Sequence, residues 1–404
     1  MSKRHFSQVV IGAGLIGSAA ARHLSQTGEQ VAIIGPAEPA VLTDHTGVFA
    51  SHYDQGRLTH LIGKDIVWAH LAKYAITNYE KIEAQSKIDF YSPVGLIVVS
   101  KPDKTNNYLR APLETAEEIG AHYKLYSVGD RSWKNLFPYL DYPAEFPLLH
   151  EDEPAGYINP RALVEAQLTC AQQQGATLIR DTVIGIDEQA SHLVIQTASG
   201  ETYTADQILV ASGASSNFNN LLPRPIPLKI KTETIILAEV SAETAVALND
   251  MPTVIYQIEA DQIDDIYMAP PIQYPDGRYY IKMGCNTAGD QWPTSLDEIQ
   301  AWFHHGRSDD YLPAMREALQ AQFPQTEFLD IHTHRCFVCY TPSGYPTIDQ
   351  LTGRIFVAAG GNGSGAKGSD TLGRLAAGLL SGAEWLPDLP RDLFRIQKWH
   401  ISPK

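Results

Sequence analysis

The stretch Val9–Leu24, "VVIGAGLIGSAAARHL", opens as an apolar strand, turns on Gly12, Gly14 and Gly17 at G-x-G-x-x-G spacing, and runs on into a helix-forming segment. In that strand-turn-helix context the glycines permit a tight turn, close backbone approach to a pyrophosphate and close helix packing, while the helix N-terminus faces the anion. "QVAIIGPAEP", Gln30–Pro39, follows as the second strand of a βαβ unit. Together they predict a dinucleotide site on an α/β fold. An acidic residue normally ends this second strand and accepts the ribose hydroxyls. Gly35 stands there instead, and Glu38, three residues later, is the candidate for that role.

Working outward, the alternation expected of a nicotinamide enzyme does not continue: after residue 50 the chain becomes irregular and rich in Tyr and Pro. Strand and helix pattern returns at "GYINPRALVEAQLTCAQQQGATLIRDTVIGI" from Gly156, and again at "DQILVASGAS", Asp206–Ser215. A third glycine-rich element, "RIFVAAGGNGSGAKGSDTLGRLAAGLL", closes the chain from Arg354. Three nucleotide-facing elements spread so widely imply an interrupted domain, and 404 residues exceed what one domain usually holds. The expected division is a Rossmann-like cofactor domain at 1–80, 151–220 and 326–404. A substrate domain with a mainly antiparallel sheet is expected at 81–150 and 221–325.

Charge and cysteine usage exclude several function classes. A net charge of −15 without a basic cluster argues against a nucleic-acid surface. "MSKRHFSQVV" carries no signal-peptide core, and no apolar run reaches the roughly 18 residues of a membrane span, so a cytoplasmic protein acting on small molecules is expected. Cys336 and Cys339, in "HRCFVCYTP", have C-x-x-C spacing, but Cys170 and Cys285 stand alone and give no second pair for a four-thiolate zinc site. His332 and His334 are nearby donors, yet the 14 histidines are scattered and no metal is expected. A redox pair wants a helix N-terminus, whereas this stretch reads as a strand whose positions three apart face opposite ways. Two small apolar strand residues remain a full alternative.

The order of these motifs resembles the FAD-dependent D-amino-acid oxidase superfamily, and most closely its monomeric sarcosine oxidase branch. The resemblance is strongest at residues 7–60, 156–215 and 277–375. It implies FAD as cofactor, with contacts at Gly12, Gly14, Gly17, Glu38, Ser51, His52, Arg57, Val183, Gly213, Gly361, Gly363, Gly365 and Lys367. It also implies a thioether from Cys336 to the flavin 8α-methyl, counted back from Thr341-Pro342, with Cys339 left as a packing residue.

Three further segments carry the implied chemistry. In "YYIKMGCNTAGD", Lys282 takes the place of a lysine over the flavin face, where a fixed ammonium in a dry site stabilises charge developing on oxygen. In "GGNGSGAKGS", Lys367 falls where the family holds a substrate-binding lysine, and a buried cation suits a substrate carboxylate. In "SHYDQGRLTH", Arg57 matches a flavin-side arginine, but His60 replaces a substrate-gripping one, and imidazole cannot copy a bidentate guanidinium clamp. Tyr53 replaces a flavin-side histidine, Asn286 replaces a substrate-side histidine, and Tyr267 is the candidate active-site tyrosine. The resemblance thus implies an FAD-dependent oxidase of a secondary amine or an N-substituted or cyclic amino acid, using molecular oxygen. Its catalytic residues would be Lys282, Lys367 and Arg57, and its substrate contacts Lys367, His60, Tyr267 and Asn286. Two alternatives stand beside it: a dehydrogenase passing electrons to a quinone or partner protein, and a flavin-bearing subunit of a larger complex.

Overall fold

Val9, Val10 and Ile11 are buried because the strand His5–Ile11 lies inside the parallel centre of a mixed sheet covered on both faces. It pairs with Val31–Ile34 on one side and Thr202–Val210 on the other, Val9 facing Ala32 and Ile208. In this computed structural model, which describes residues 4–63, 65–102 and 109–399, that sheet runs Val183–Glu188, Leu193–Thr197, Thr202–Val210, His5–Ile11, Val31–Ile34, Thr177–Ile179. Ile355–Ala359 adds in parallel to Thr202–Val210, so the closing glycine-rich element returns to the first one. The chain is α/β with a Rossmann-like unit, as the opening motif requires.

A second eight-stranded sheet is antiparallel apart from one parallel pair, Leu96–Ser100 with Thr253–Glu259. Its edge strand, Asp330–Tyr340, pairs with Lys229–Val240 along its full length, although it falls in the 326–404 range expected for the cofactor domain. The reason is visible in the register: Phe337 and Cys339 bury on one side, while Cys336 pairs across with Glu233. The cysteine strand is thus carried by the second sheet, yet residues 336–339 line the same cavity as the glycine turn at Gly12.

Local signals set the helix ends. Asp65 caps Ile66–Ser86 by accepting from the Val67 and Trp68 amides, and Lys87 ends it in the left-handed conformation. Asn159 caps Pro160–Gln173 by accepting from the Ala162 amide, with proline at the first helical position. Helix Leu15–Ser25 has no side-chain cap and no acidic residue in its first turn. Gly373 sits so close to it that a Cβ there would meet Ala19 Cβ at 2.4 Å.

Four helices join at one buried carboxylate. Asp370 accepts from Arg22 at 2.6 Å, from Gln167 at 3.0 Å and from Asn78 at 3.0 Å, with His23 at 3.2 Å. Its partners hold this carboxyl well below the usual range despite burial, which alone would raise it. Removing one member strands a buried guanidinium. Asp370→Asn is expected to lower the unfolding free energy by about 3–5 kcal/mol in urea denaturation, and a loss under about 1 kcal/mol would mean the network is incidental.

Candidate active site

A cavity of about 530 Å³ runs from the first glycine turn to Lys367. At its cofactor end, Gly12 has φ +107°, and a Cβ there would stand 2.5 Å from the Ala211 carbonyl oxygen. At Gly17 a Cβ would lie 1.8 Å from the Gly12 carbonyl oxygen, so this glycine serves helix packing and is not among the wall residues. Gly14 and the uncapped first turn of helix Leu15–Ser25 line the cavity with backbone N–H groups that lack helical partners. Those features fit a dinucleotide pyrophosphate. Gly213, with φ +58°, and Val183 lie on the same wall, as do Gly361, Gly363 and Gly365.

Glu38 is engaged elsewhere: both carboxylate oxygens accept from Arg161, at 2.7–3.1 Å, and Glu38 is not among the wall residues. Ser51 and His52 are on the wall, and burial pulls the His52 imidazole down to about 3, so it is neutral there.

Arg57 also lines the cavity, donating to the Ser51 carbonyl at 2.8 Å and lying 3.7 Å from Cys336 Sγ. It is paired with Asp54. The same aspartate accepts from Lys282 Nζ at 2.6 Å and from the Tyr274 hydroxyl at 2.8 Å, and Lys282 donates again to the Gly56 carbonyl at 2.9 Å. Lys282 is 1% exposed, lies 5.3 Å from the centroid of the Tyr267 ring and sits behind the wall rather than on it. Burial pulls its ammonium well below the usual value and Arg57 adds to this, while Cys336 and Glu233 oppose both. Asp54 carried no motif, and only the folded pairing reveals it.

At the other end Lys367 Nζ stands 3.3 Å from His60 Nε2. The His60 Nδ1 is 2.6 Å from the Ile62 carbonyl, which fixes the proton on Nδ1 and leaves Nε2 as an acceptor toward the lysine. Burial and Lys367 both hold this imidazole neutral. Burial lowers Lys367 to about 8, against the pull of Glu151 and Asp65. Glu151 accepts from the Leu61 and Ile62 amides at 2.9 and 3.0 Å, and burial raises it to about 7. It orders the turn that carries His60, a role no sequence pattern announced.

The third wall comes from the second sheet. Tyr267 covers Gly284 so closely that a Cβ there would sit 2.3 Å from the ring, and its hydroxyl donates to Glu233 at 2.7 Å. Burial, reinforced by Glu233, keeps that phenol protonated. Asn286 also lines the cavity, but its carbonyl accepts from Lys231 at 2.6 Å and its amide donates to Asp264 at 2.9 Å. Cys336 and Cys339 both reach the wall as free thiols, and burial pushes Cys339 up to about 12. Tyr53 is buried there too.

The family model for FAD dependent oxidoreductases, DAO, matches residues 8–379. The chain belongs to this family. Among curated DAO relatives, monomeric sarcosine oxidase of Bacillus sp. strain NS-129 is 23% identical over 93% of both chains. An uncharacterized oxidoreductase, YurR of Bacillus subtilis strain 168, is 30% identical over 52% of this chain and 56% of its own length. The fold is shared with NikD, an unusual amino acid oxidase essential for nikkomycin biosynthesis, whose Tyr258Phe mutant matches at 15% identity with TM-score 0.77 and full coverage of both chains. Glycine oxidase from Geobacillus kaustophilus matches with TM-score 0.70 at 18% identity, covering 99% of this chain and 100% of that one. As a DAO member the protein is an FAD-dependent oxidoreductase, and the glycine cradle at Gly12 and Gly14 is suited to that cofactor. Among the described residues no helix is long and apolar enough to cross a membrane.

Proposed function

We propose that this protein oxidises a secondary amine or an N-substituted or cyclic amino acid, releasing an imine and, with molecular oxygen as acceptor, hydrogen peroxide. The observation that carries the reading is the buried Lys367, set at the end of the cofactor cavity with, among the described residues, only a neutral imidazole at hydrogen-bond range. An ammonium so placed is costly without an anion, and a substrate carboxylate supplies one. FAD held by the glycine turn at Gly12 and Gly14 would supply the redox chemistry, as acceptor of a hydride equivalent. The chain's own groups orient: Lys367 holds the carboxylate, His60 and Tyr267 shape the pocket, and Arg57 with the glycines of 361–365 faces the cofactor. The relatives named monomeric sarcosine oxidase support the same substrate class.

Cys336 is proposed as the point of covalent attachment, because its thiol faces the cavity beside Arg57 while Cys339 belongs to a hydrophobic cluster with Phe337. Acid precipitation of the purified protein is expected to carry the yellow colour into the pellet, and Cys336→Ser to release it into the supernatant. Release from the wild-type chain would leave Cys336 as a wall residue only.

A dehydrogenase that hands electrons to a quinone or partner protein is the second reading, favoured by one contact. Asp54 neutralises Lys282, the cation that an oxygen site would use. Oxygen consumption in the presence of a reducing amine decides between the two: turnover in air without added acceptor supports the oxidase, and turnover only with a quinone or dye supports the dehydrogenase.

A further inference from the structure

Glu233 is 8% exposed, yet it lines the cavity. One carboxylate oxygen accepts from the Tyr267 hydroxyl at 2.7 Å. The other has no hydrogen-bond donor among the described residues: its nearest cation, Lys231 Nζ, is 4.0 Å away and already donates to Asn286 at 2.6 Å and Asp290 at 2.8 Å. Lys231 is shared with Asp290, so its long ion pair with Glu233 leaves that oxygen without a hydrogen bond. Asp265, exposed on the same wall at φ +51°, accepts from Gln257 at 2.7 Å and from Asn286 at 3.4 Å and adds a second negative charge. In a residue so little exposed, a carboxylate oxygen that opens only onto a cavity is well placed to accept from a ligand there. The cavity therefore carries a cation at Lys367 and an unmet anion at Glu233.

We infer that Glu233 selects substrates bearing a second, non-reacting cationic nitrogen in addition to the carboxylate held by Lys367: basic amino acids substituted on the reacting amine. This rests on the proposed amine-oxidising function and names its substrate class. The phenol of Tyr267 stays a donor and so fixes Glu233 as acceptor, while the free oxygen receives the substrate's ammonium or guanidinium N–H. The groups facing Glu233 are Tyr267, Lys231, Cys336 and the charge of Lys282, which donates to Asp54 and Gly56 instead, and none of them supplies that hydrogen bond in the structure.

The test is a titration of the holoenzyme's flavin absorption with ω-amino carboxylates of increasing chain length, each against the matching unsubstituted carboxylate. One chain length is expected to bind about tenfold or more tighter than its neutral partner, with that preference lost in Glu233→Gln. The unsubstituted carboxylates, which reach only Lys367, report whether the variant keeps its pocket. If Glu233→Gln fails to hold flavin, Asp265→Asn must at least weaken the preference. Equal affinity for the paired ligands, or a preference surviving in both variants, overturns the inference. So does a Glu233→Gln loss in kcat/KM that is equal for N-methyl norleucine and N-methyl lysine, since Glu233 would then act on the reacting amine. Failure of the underlying function looks different: the binding preference persists while no amine reduces the flavin.

Discussion

Lys367→Met is expected to lower kcat/KM for an amine carboxylate by about 10²–10³-fold, because removing one partner of a buried charge pair costs about 2–5 kcal/mol. The effect should fall mainly on KM, since the ammonium holds ground state and transition state alike. An amine of similar shape without the carboxylate should lose much less, and equal losses for both would assign Lys367 to the architecture. The neutral His60 cannot compensate, as its Nε2 is an acceptor and would repel a carboxylate. The same lysine sets a pH dependence. Burial lowers it to about 8, and the cationic form binds, so kcat/KM should fall about tenfold per pH unit as pH rises above that value. Glu151, raised by burial to about 7, and Asp65 both pull the other way, and protonation of Glu151 below that pH weakens the ammonium's support from the acid side.

Lys282→Met should slow reoxidation of the reduced protein by oxygen by about 10²–10³-fold, the range for loss of one preorganised electrostatic group. Reduction by substrate should change by less than about tenfold, because Lys282 does not line the cavity and spends its hydrogen bonds on Asp54 and the Gly56 carbonyl. Stopped-flow measurement of the two half-reactions separates them, and equal slowing of both would remove Lys282 from the oxygen step. The Asp54 contact makes this a demanding test. If the ion pair at 2.6 Å persists in the loaded protein, the field left for oxygen is weakened, and a small effect on reoxidation is the dehydrogenase result.

The cofactor half of the molecule was legible because backbone chemistry wrote it into short motifs. Gly12, Gly14 and Gly17 are each explained by a turn, an open approach or a packing contact that tolerates no side chain, and such demands fall at fixed sequence spacing. Lys367, His60, Tyr267 and Arg57 were likewise found on one cavity because the motif order resembled a known family. Glu38 shows the limit: its sequence distance from the strand allowed a ribose contact, but nothing in sequence announced Arg161, 123 residues away, which holds both its oxygens. Asp54, Glu151 and Glu233 were missed for the same reason. Each is an isolated acid in an ordinary segment, and each gains its meaning from a partner that only folding brings near. The sheet that takes the strand Asp330–Tyr340 was not legible, because its alternating pattern fits either, and only pairing with Lys229–Val240 decides.

The most direct measurement is anaerobic mixing of the purified, flavin-loaded protein with N-methyl and cyclic amino acids, followed at the flavin's visible absorption. The expected result is full bleaching by at least one such amine carboxylate, with imine or its carbonyl hydrolysis product recovered one for one with flavin. Flavin that stays oxidised with every secondary amine carboxylate, yet is reduced by a substrate lacking an amine, would contradict the account.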